Sequence, residues 1–126
     1  MKKAIVLLAG LLALGLTSFA ADTAPKSVIH VVTVAFKKDA TPEQIKAALD
    51  GVQALPASFS GLLHVWTRSI KVQNPPGANI SKTHAFVMEF ADEAAFKAYT
   101  DSDAQKAWYK VYLPIREQST TFDITN

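Results

Sequence analysis

Two histidines, His30 and His84, lie near the starts of two apolar stretches of this sequence. The imidazole side chain of each is able to transfer a proton or contact a ligand. As a metal pair they are poor, because no third or fourth ligand of the kind that closes a metal site stands near them. If the two stretches are antiparallel neighbours, the histidines lie towards opposite ends of the sheet, so a shared site is not expected. The alternative for each, and for His64, is a histidine bonded to backbone or water.

A group of aromatic residues follows in the second helical part of the chain: Tyr99, Trp108, Tyr109 and Tyr112. One interpretation is packing of helix against sheet, with the hydroxyls reaching solvent. The other is a small apolar pocket between helices and sheet, in which the Tyr99 hydroxyl and His30 supply polar contacts. The sequence has no Gly-rich phosphate loop, no Ser-His-Asp spacing and no catalytic pair of carboxylates. We therefore expect neither a metal nor a cofactor.

The composition fits one ordinary globular domain. The chain has 126 residues, 49% of them hydrophobic and 19% charged, and it contains no cysteine. A disulfide framework and a Cys-ligated metal are thereby excluded. Without Lys2 and Lys3, the basic residues equal the acidic ones in number, so charge gives no reason to expect nucleic acid as a partner.

The first 20 residues have the pattern of a secretory signal peptide. Lys2 and Lys3 precede an apolar run that ends at Leu16, and the small residues Ser18 and Ala20 suit cleavage after Ala20. The alternative is an uncleaved membrane anchor, which needs about 20 apolar residues. This run is shorter. We expect a secreted or periplasmic protein whose domain spans residues 21–126, with no stable membrane anchor after cleavage.

The rest of the chain reads as strand, helix, strand, strand, helix, strand. The strands are predicted at 28–36, 62–72, 83–90 and 119–125. The first helix begins after Thr41, where Pro42 and Gln44 complete a capping box, and ends near Pro56. The second helical part begins at Asp92, breaks over 100–103 and continues to about Leu113. Residues 74–79, with two prolines and a glycine, form a long hairpin loop.

This order predicts an α+β, ferredoxin-like βαββαβ fold with a four-stranded antiparallel sheet in the order 4-1-3-2. All helices then cover one face of the sheet. The residues on the other face of the two central strands are apolar, so a monomer would expose them to water. A homodimer through this uncovered sheet face is therefore expected.

The pattern resembles the stress-responsive A/B barrel (Dabb) family over about residues 28–124. The resemblance rests on His30-Val31-Val32 with Phe36, Leu55-Pro56 with Gly61, residues 84–90 and 92–99, and Leu113-Pro114 ahead of Phe122-Asp123. It implies that two copies pair their sheets face to face as a dimeric α/β barrel.

The resemblance also bears on the site. In a plant polyketide cyclase of this family, strand histidines match His30 and His84, and an active-site tyrosine matches Tyr99. The cyclase has its general base in a His-Pro-x-His motif, where this chain has Ser102, Asp103, Ala104 and Gln105. An amide takes no proton near neutral pH, so Gln105 cannot be that base. The candidate ligand-binding residues are His30, His84, Tyr99 and Trp108, and no catalytic residue is assigned.

Two functions follow as hypotheses. The first is an exported homodimer that binds a small apolar molecule, or acts as a stress-related protein, without turnover. The alternative is an enzyme of the dimeric α/β barrel superfamily, similar to a polyketide cyclase or to a monooxygenase that handles haem or a quinone. In that case His30, His84 and Tyr99 supply acid–base or axial contacts.

Overall fold

The computed structural model describes residues 26–73, 77 and 81–125. The predicted signal peptide over residues 1–20 and most of the predicted loop over 74–79 lie outside the described residues. Within them, no helix has the length and apolar character needed to span a bilayer.

Four strands and three helices build the domain in the predicted order. The strands are β1 (Val28–Phe36), β2 (Leu62–Ser69), β3 (His84–Phe90) and β4 (Arg116–Ile124), and the helices are α1 (Pro42–Ala54), α2 (Glu93–Tyr99) and α3 (Asp103–Tyr112). A short 3₁₀ turn over Leu55–Ala57, which was not predicted, follows α1. All neighbouring strands are antiparallel and lie in the order β2-β3-β1-β4. The α+β, ferredoxin-like architecture is thus confirmed.

Two predicted strand ends were wrong by three residues, and strand pairing explains both; the start of β3 and the end of β4 were each wrong by one residue. β2 stops at Ser69 rather than 72 because its partner β3 begins at His84, which is paired with Ser69. β4 begins three residues earlier than predicted because Arg116 pairs with Phe36 beyond a register shift in β1.

The start of α1 follows from its capping sequence. The Thr41 hydroxyl oxygen accepts a hydrogen bond from the Gln44 backbone N–H at 3.2 Å, and the Gln44 side-chain oxygen accepts one from the Thr41 N–H at 2.9 Å. Pro42 occupies the first turn, where a missing N–H costs nothing. The predicted capping box is confirmed.

The hydrophobic core lies between the helices and one face of the sheet. The strands contribute Val28, Val32, Val34, Leu62, Phe86, Met88 and Phe90, and the helical part contributes Ala48, Val52, Leu55, Tyr99, Trp108 and Tyr112. The Trp108 indole N–H donates a hydrogen bond to the Ala48 carbonyl at 2.9 Å, which joins α3 to α1. The helices approach closely there, since a Cβ at Gly51 would lie 3.1 Å from the Trp108 ring.

The opposite face of the sheet, here called the open face, carries no layer of described residues. Strand register aligns Val31 of β1 with Val87 of β3 and with Phe122 of β4. Phe122 is 50% exposed, and Trp66 on the edge strand β2 is 43% exposed. The predicted bare apolar surface is therefore present in the single chain. It also carries one polar pair, because His64 Nδ1 lies 2.9 Å from a Glu89 carboxylate oxygen.

Candidate ligand-binding site

A cavity of about 250 Å³ lies between the helices α2 and α3 and the covered face of the sheet, beside β1 and β4. Its apolar walls come from Val32, Phe86, Met88, Phe96 and Trp108. Polar groups reach it from His30, Thr100, Gln105, Arg116, Ser119 and Thr121, and Tyr99, Tyr109 and Tyr112 also line it. Apolar and aromatic walls with convergent polar groups are the usual form of a small-molecule site, and polar groups make up a large part of this one.

One wall of the cavity consists of aromatic rings that pack against one another. The Trp108 and Tyr112 rings stack with centroids 4.5 Å apart and planes inclined by 8°. The Phe86 ring meets Trp108 edge to face at 5.4 Å. Since the Trp108 indole is also tied to α1, this wall is fixed in position.

Two hydroxyls are buried in this wall, since Tyr99 and Tyr112 are each only 3% exposed. The Tyr99 hydroxyl has no hydrogen-bond partner among the described residues. The Tyr112 hydroxyl lies beside the Ser119 and Arg116 side chains, which interact with its oxygen. For these two residues, the interpretation that the hydroxyls reach solvent is wrong. Leaving such a buried group unsatisfied costs roughly 1–3 kcal/mol, so the Tyr99 hydroxyl favours a polar group of a ligand.

Both phenols stay protonated and can therefore donate. Burial raises the pKa of Tyr99 far above the usual value near 10, and the neighbouring Tyr109 raises it further. Burial also raises the pKa of Tyr112, although nearby Ser119 and Arg116 partly offset that effect. Near neutral pH, the cavity is thus lined by two neutral phenol side chains.

His30 enters the same cavity from β1 and is oriented by a carboxylate. Its Nδ1 lies 2.6 Å from the Oδ1 atom of Asp123, the residue paired with it across the β1–β4 ladder. A carboxylate only accepts, so Nδ1 carries the proton and, in the neutral ring, Nε2 has a free lone pair. The imidazole also packs against Phe96, with ring centroids 5.1 Å apart. The expected bond to backbone or water is replaced by this side-chain pair.

His84 lies on the same face of the sheet but not at this cavity. It pairs with Val34, while His30 pairs with Met88, so four residues of β3, roughly 13 Å, separate the two positions. The His84 ring packs on Phe36 and its Nδ1 lies 2.9 Å from the Thr83 hydroxyl. Burial lowers the pKa of this imidazole. The structure therefore brings His30, Tyr99 and Trp108 together and places His84 apart.

Gln105 lines the cavity and also stabilises the turn between α2 and α3. Its side-chain oxygen accepts a hydrogen bond at 2.8 Å from the N–H of Asp101, whose φ of 64° is left-handed. The backbone N–H of Gln105 is bonded to the Ser102 hydroxyl that caps α3. Because the oxygen is occupied, the amide –NH₂ is the half of this side chain left to donate.

Sequence reasoning missed the contribution of β4. Ser119, Thr121 and Asp123 alternate with the open-face residues and so point towards the helices. The alternation could be seen in the sequence, but only the register of β4 with β1 shows that Asp123 pairs with His30. Arg116 was missed because the last strand was predicted to begin only at Ser119. Among the described residues, no three His, Asp or Glu side chains gather closely enough to hold a metal ion.

Comparison with known proteins gives a family and a fold. The model of the stress responsive A/B barrel domain family matches residues 28–126. A comparison with curated proteins finds no significant match.

Solved structures share the architecture at low sequence identity. A hydroxynitrile lyase from Passiflora edulis superposes with a TM-score of 0.70 at 17% identity, covering 82% of this chain and 95% of the lyase. A Dabb family protein with a ferredoxin-like fold from Mesorhizobium loti gives 0.61 at 23% identity, with 79% and 96% covered. A dimeric ferredoxin-like protein of unknown function from Thermobifida fusca gives 0.64 at 18% identity, with 81% and 92% covered. Similarity at this level establishes the fold alone.

Proposed function

The chain belongs to the stress responsive A/B barrel domain family, and from that premise we propose that it is an exported homodimer that binds a small, largely apolar molecule without turnover. The observation that carries the proposal is the buried hydroxyl of Tyr99 on the wall of the 250 Å³ cavity, which has no hydrogen-bond partner among the described residues. Buried polar groups in folded proteins rarely lack a partner, so this hydroxyl favours a bound molecule that supplies one.

The absence of turnover rests on Gln105. This side chain stands in the first turn of α3, where the resemblance to the cyclase would require a histidine. Its oxygen accepts a hydrogen bond from the Asp101 N–H, and an amide is not basic enough to take up a proton near neutral pH. The residue thus holds the α2–α3 turn and offers a donor, which suits binding rather than proton abstraction.

The open face supports the homodimer. Val31 lies at its centre between Val87 and the half-exposed Phe122, and no described residue covers them. Each ~100 Å² of apolar surface removed from water contributes about 2.5 kcal/mol, so pairing two such faces is favourable. The Thermobifida fusca neighbour is itself described as dimeric.

Export is supported by the first 20 residues alone. Two lysines, a short apolar run and the small residues Ser18 and Ala20 fit a cleaved signal. The test is the N-terminal sequence of the protein recovered outside the cytoplasm, which should begin at Ala21.

Native mass spectrometry of the processed protein, purified from its own compartment, tests the binding function. We expect a small molecule to remain bound, and the double variant Tyr99→Phe/Tyr112→Phe to lose it. Thr120→Val, which changes a hydroxyl on the open side of β4, is the matched control and should retain the ligand. A protein that carries no small molecule and binds none from a fragment collection contradicts the proposal.

A second candidate, an acid–base enzyme, is favoured by one observation: the Asp123 carboxylate fixes His30 in the cavity that also holds the neutral Tyr99 phenol. Such a pair is able to move a proton to or from a bound carbonyl compound. Exchange of the methyl protons of acetophenone with D₂O, followed by NMR, is a direct test. Exchange that is abolished in His30→Gln supports the enzyme, and exchange no faster than in buffer rejects it.

A further inference from the structure

We infer that the ligand is a small organic carboxylate, whose anionic end lies at Arg116 and whose oxygen-bearing other end lies at Tyr99 and Gln105. This inference rests on the proposed binding function and adds to it the chemical class of the ligand. It follows from how polar groups are distributed along the cavity, from their charges and from the volume between them.

The polar groups of the cavity lie at its two ends. One end holds His30 of β1, Tyr99 at the end of α2 and Gln105 in the first turn of α3. The other end holds Tyr112 in the last turn of α3 with Arg116 and Ser119 of β4. On β4, Ser119 and the His30 partner Asp123 are four residues apart, roughly 13 Å, which sets the scale of the separation.

The Arg116 end carries an unneutralised positive charge. No carboxylate among the described residues lies within ion-pair distance of this guanidinium. It is held over the Tyr112 ring, 5.7 Å from the centroid, and one nitrogen lies 3.5 Å from the Ser119 hydroxyl. No Asp or Glu lines the cavity. A planar guanidinium beside a protonated phenol matches a carboxylate, which accepts from both.

The end of the cavity with His30, Tyr99 and Gln105 favours a neutral oxygen atom of the ligand. The Tyr99 hydroxyl and the amide –NH₂ of Gln105 both donate, and the Nε2 atom of neutral His30 accepts. A hydroxyl or carbonyl oxygen on the ligand satisfies these donors, and a hydroxyl also satisfies the imidazole. The negative charge of Asp123, which is bonded to His30, disfavours a second carboxylate at this end.

The volume limits the body of the ligand to one ring. At about 250 Å³, the cavity is below the ~300–1,000 Å³ of pockets that take drug-sized molecules. Its apolar lining includes Val32, Phe86 and Trp108. A single aromatic ring with a carboxylate and an oxygen on opposite carbons provides the anion for Arg116, the neutral oxygen for the other end and a body of suitable volume. The simplest probe of that class is 4-hydroxybenzoate.

Calorimetric titration of the purified protein with 4-hydroxybenzoate and with its neutral methyl ester tests the inference. We expect the acid to bind at least tenfold more tightly than the ester. Arg116→Gln should remove that preference by weakening the acid about tenfold while changing the ester less than twofold. Lys71→Gln removes one positive charge from the exposed residue just beyond β2 and should preserve the preference.

The outcomes separate the inference from the proposed function. If the ester binds as tightly as the acid, the carboxylate class is wrong and a small-molecule function stands. If the acid is preferred equally by Arg116→Gln, whose circular dichroism shows an intact fold, the placement of the anion at Arg116 is wrong. If neither compound binds and the fragment collection also gives no ligand, the inference and the proposed function both fail.

Discussion

Asp123 of β4 and His30 of β1 face each other across the ladder, with Oδ1 2.6 Å from Nδ1. This contact places the proton of the neutral imidazole on Nδ1 and leaves the lone pair on Nε2. It also joins an edge strand to a central one at the cavity wall, so the chemistry of His30 depends on the register of β4.

The first prediction concerns the tautomer of His30. Because the carboxylate accepts from Nδ1, the neutral imidazole should carry its proton there, and ¹⁵N–¹H correlation spectra at pH 8 should show an unprotonated Nε2. In Asp123→Ala this preference should disappear. His84 in the same spectra is the internal control, since its Nδ1 faces the Thr83 hydroxyl and not Asp123. An Nε2–H tautomer in the unmodified protein would contradict the assignment.

The second prediction is that Tyr99→Phe does not destabilise the ligand-free protein. The hydroxyl is buried and unpartnered, so its removal should leave the free energy of unfolding unchanged or raise it by up to about 1 kcal/mol. Urea denaturation measures this directly. A loss of more than about 1 kcal/mol would mean that the hydroxyl has a protein partner in solution. Phe90→Ala, which empties the fully buried core position beside Tyr99, should cost ~3–5 kcal/mol and calibrates the assay.

The third prediction concerns alkaline pH. The folded pKa of Tyr99 is raised above its ordinary value near 10, mainly by burial, so the unfolded chain releases this proton first. The stability contributed by the neutral phenol is complete below pH 10 and is lost as the pH rises above it. Chemical denaturation between pH 8 and 11.5 should show this decline, and Tyr99→Phe should make it shallower. If the free energy of unfolding of Tyr99→Phe falls with pH as steeply as that of the unmodified protein, the Tyr99 phenol is not buried in solution.

The fourth prediction tests the open face. Val31→Asp places a charge between Val87 and Phe122 and should convert the dimer into a folded monomer at micromolar concentration. Sedimentation equilibrium gives the mass, and far-UV circular dichroism confirms the fold. Val111→Asp on α3, at a position 43% exposed on the helical side, makes the same chemical change and should leave the dimer intact. A monomeric unmodified protein would reject pairing through this face.

The sequence was sufficient for the elements and for their order. Alternation in residues 84–90 identified β3, and the capping residues around Pro42 located the start of α1, because these signals are local. The boundary of β4 was not predictable in the same way, since Arg116 is in a strand only through its pairing with Phe36.

The candidate site was predictable in part for the same reason. Tyr99 and Trp108 could be named from aromatic type and helical spacing, whereas Asp123 gains its importance only by register with His30. His84 resembled His30 in the sequence, yet antiparallel pairing carries it to the other end of the sheet. Pairing across strands, rather than residue type, separates these two histidines.

The bond from the Trp108 indole to the Ala48 carbonyl has a consequence for selectivity. It holds the Trp108 wall of the cavity against α1, a helix that does not line the cavity, so a bulkier molecule must break this hydrogen bond to push the wall back. We therefore expect affinity to fall for molecules whose body is wider than one ring, and the protein to lose little conformational freedom when a molecule that fits is bound.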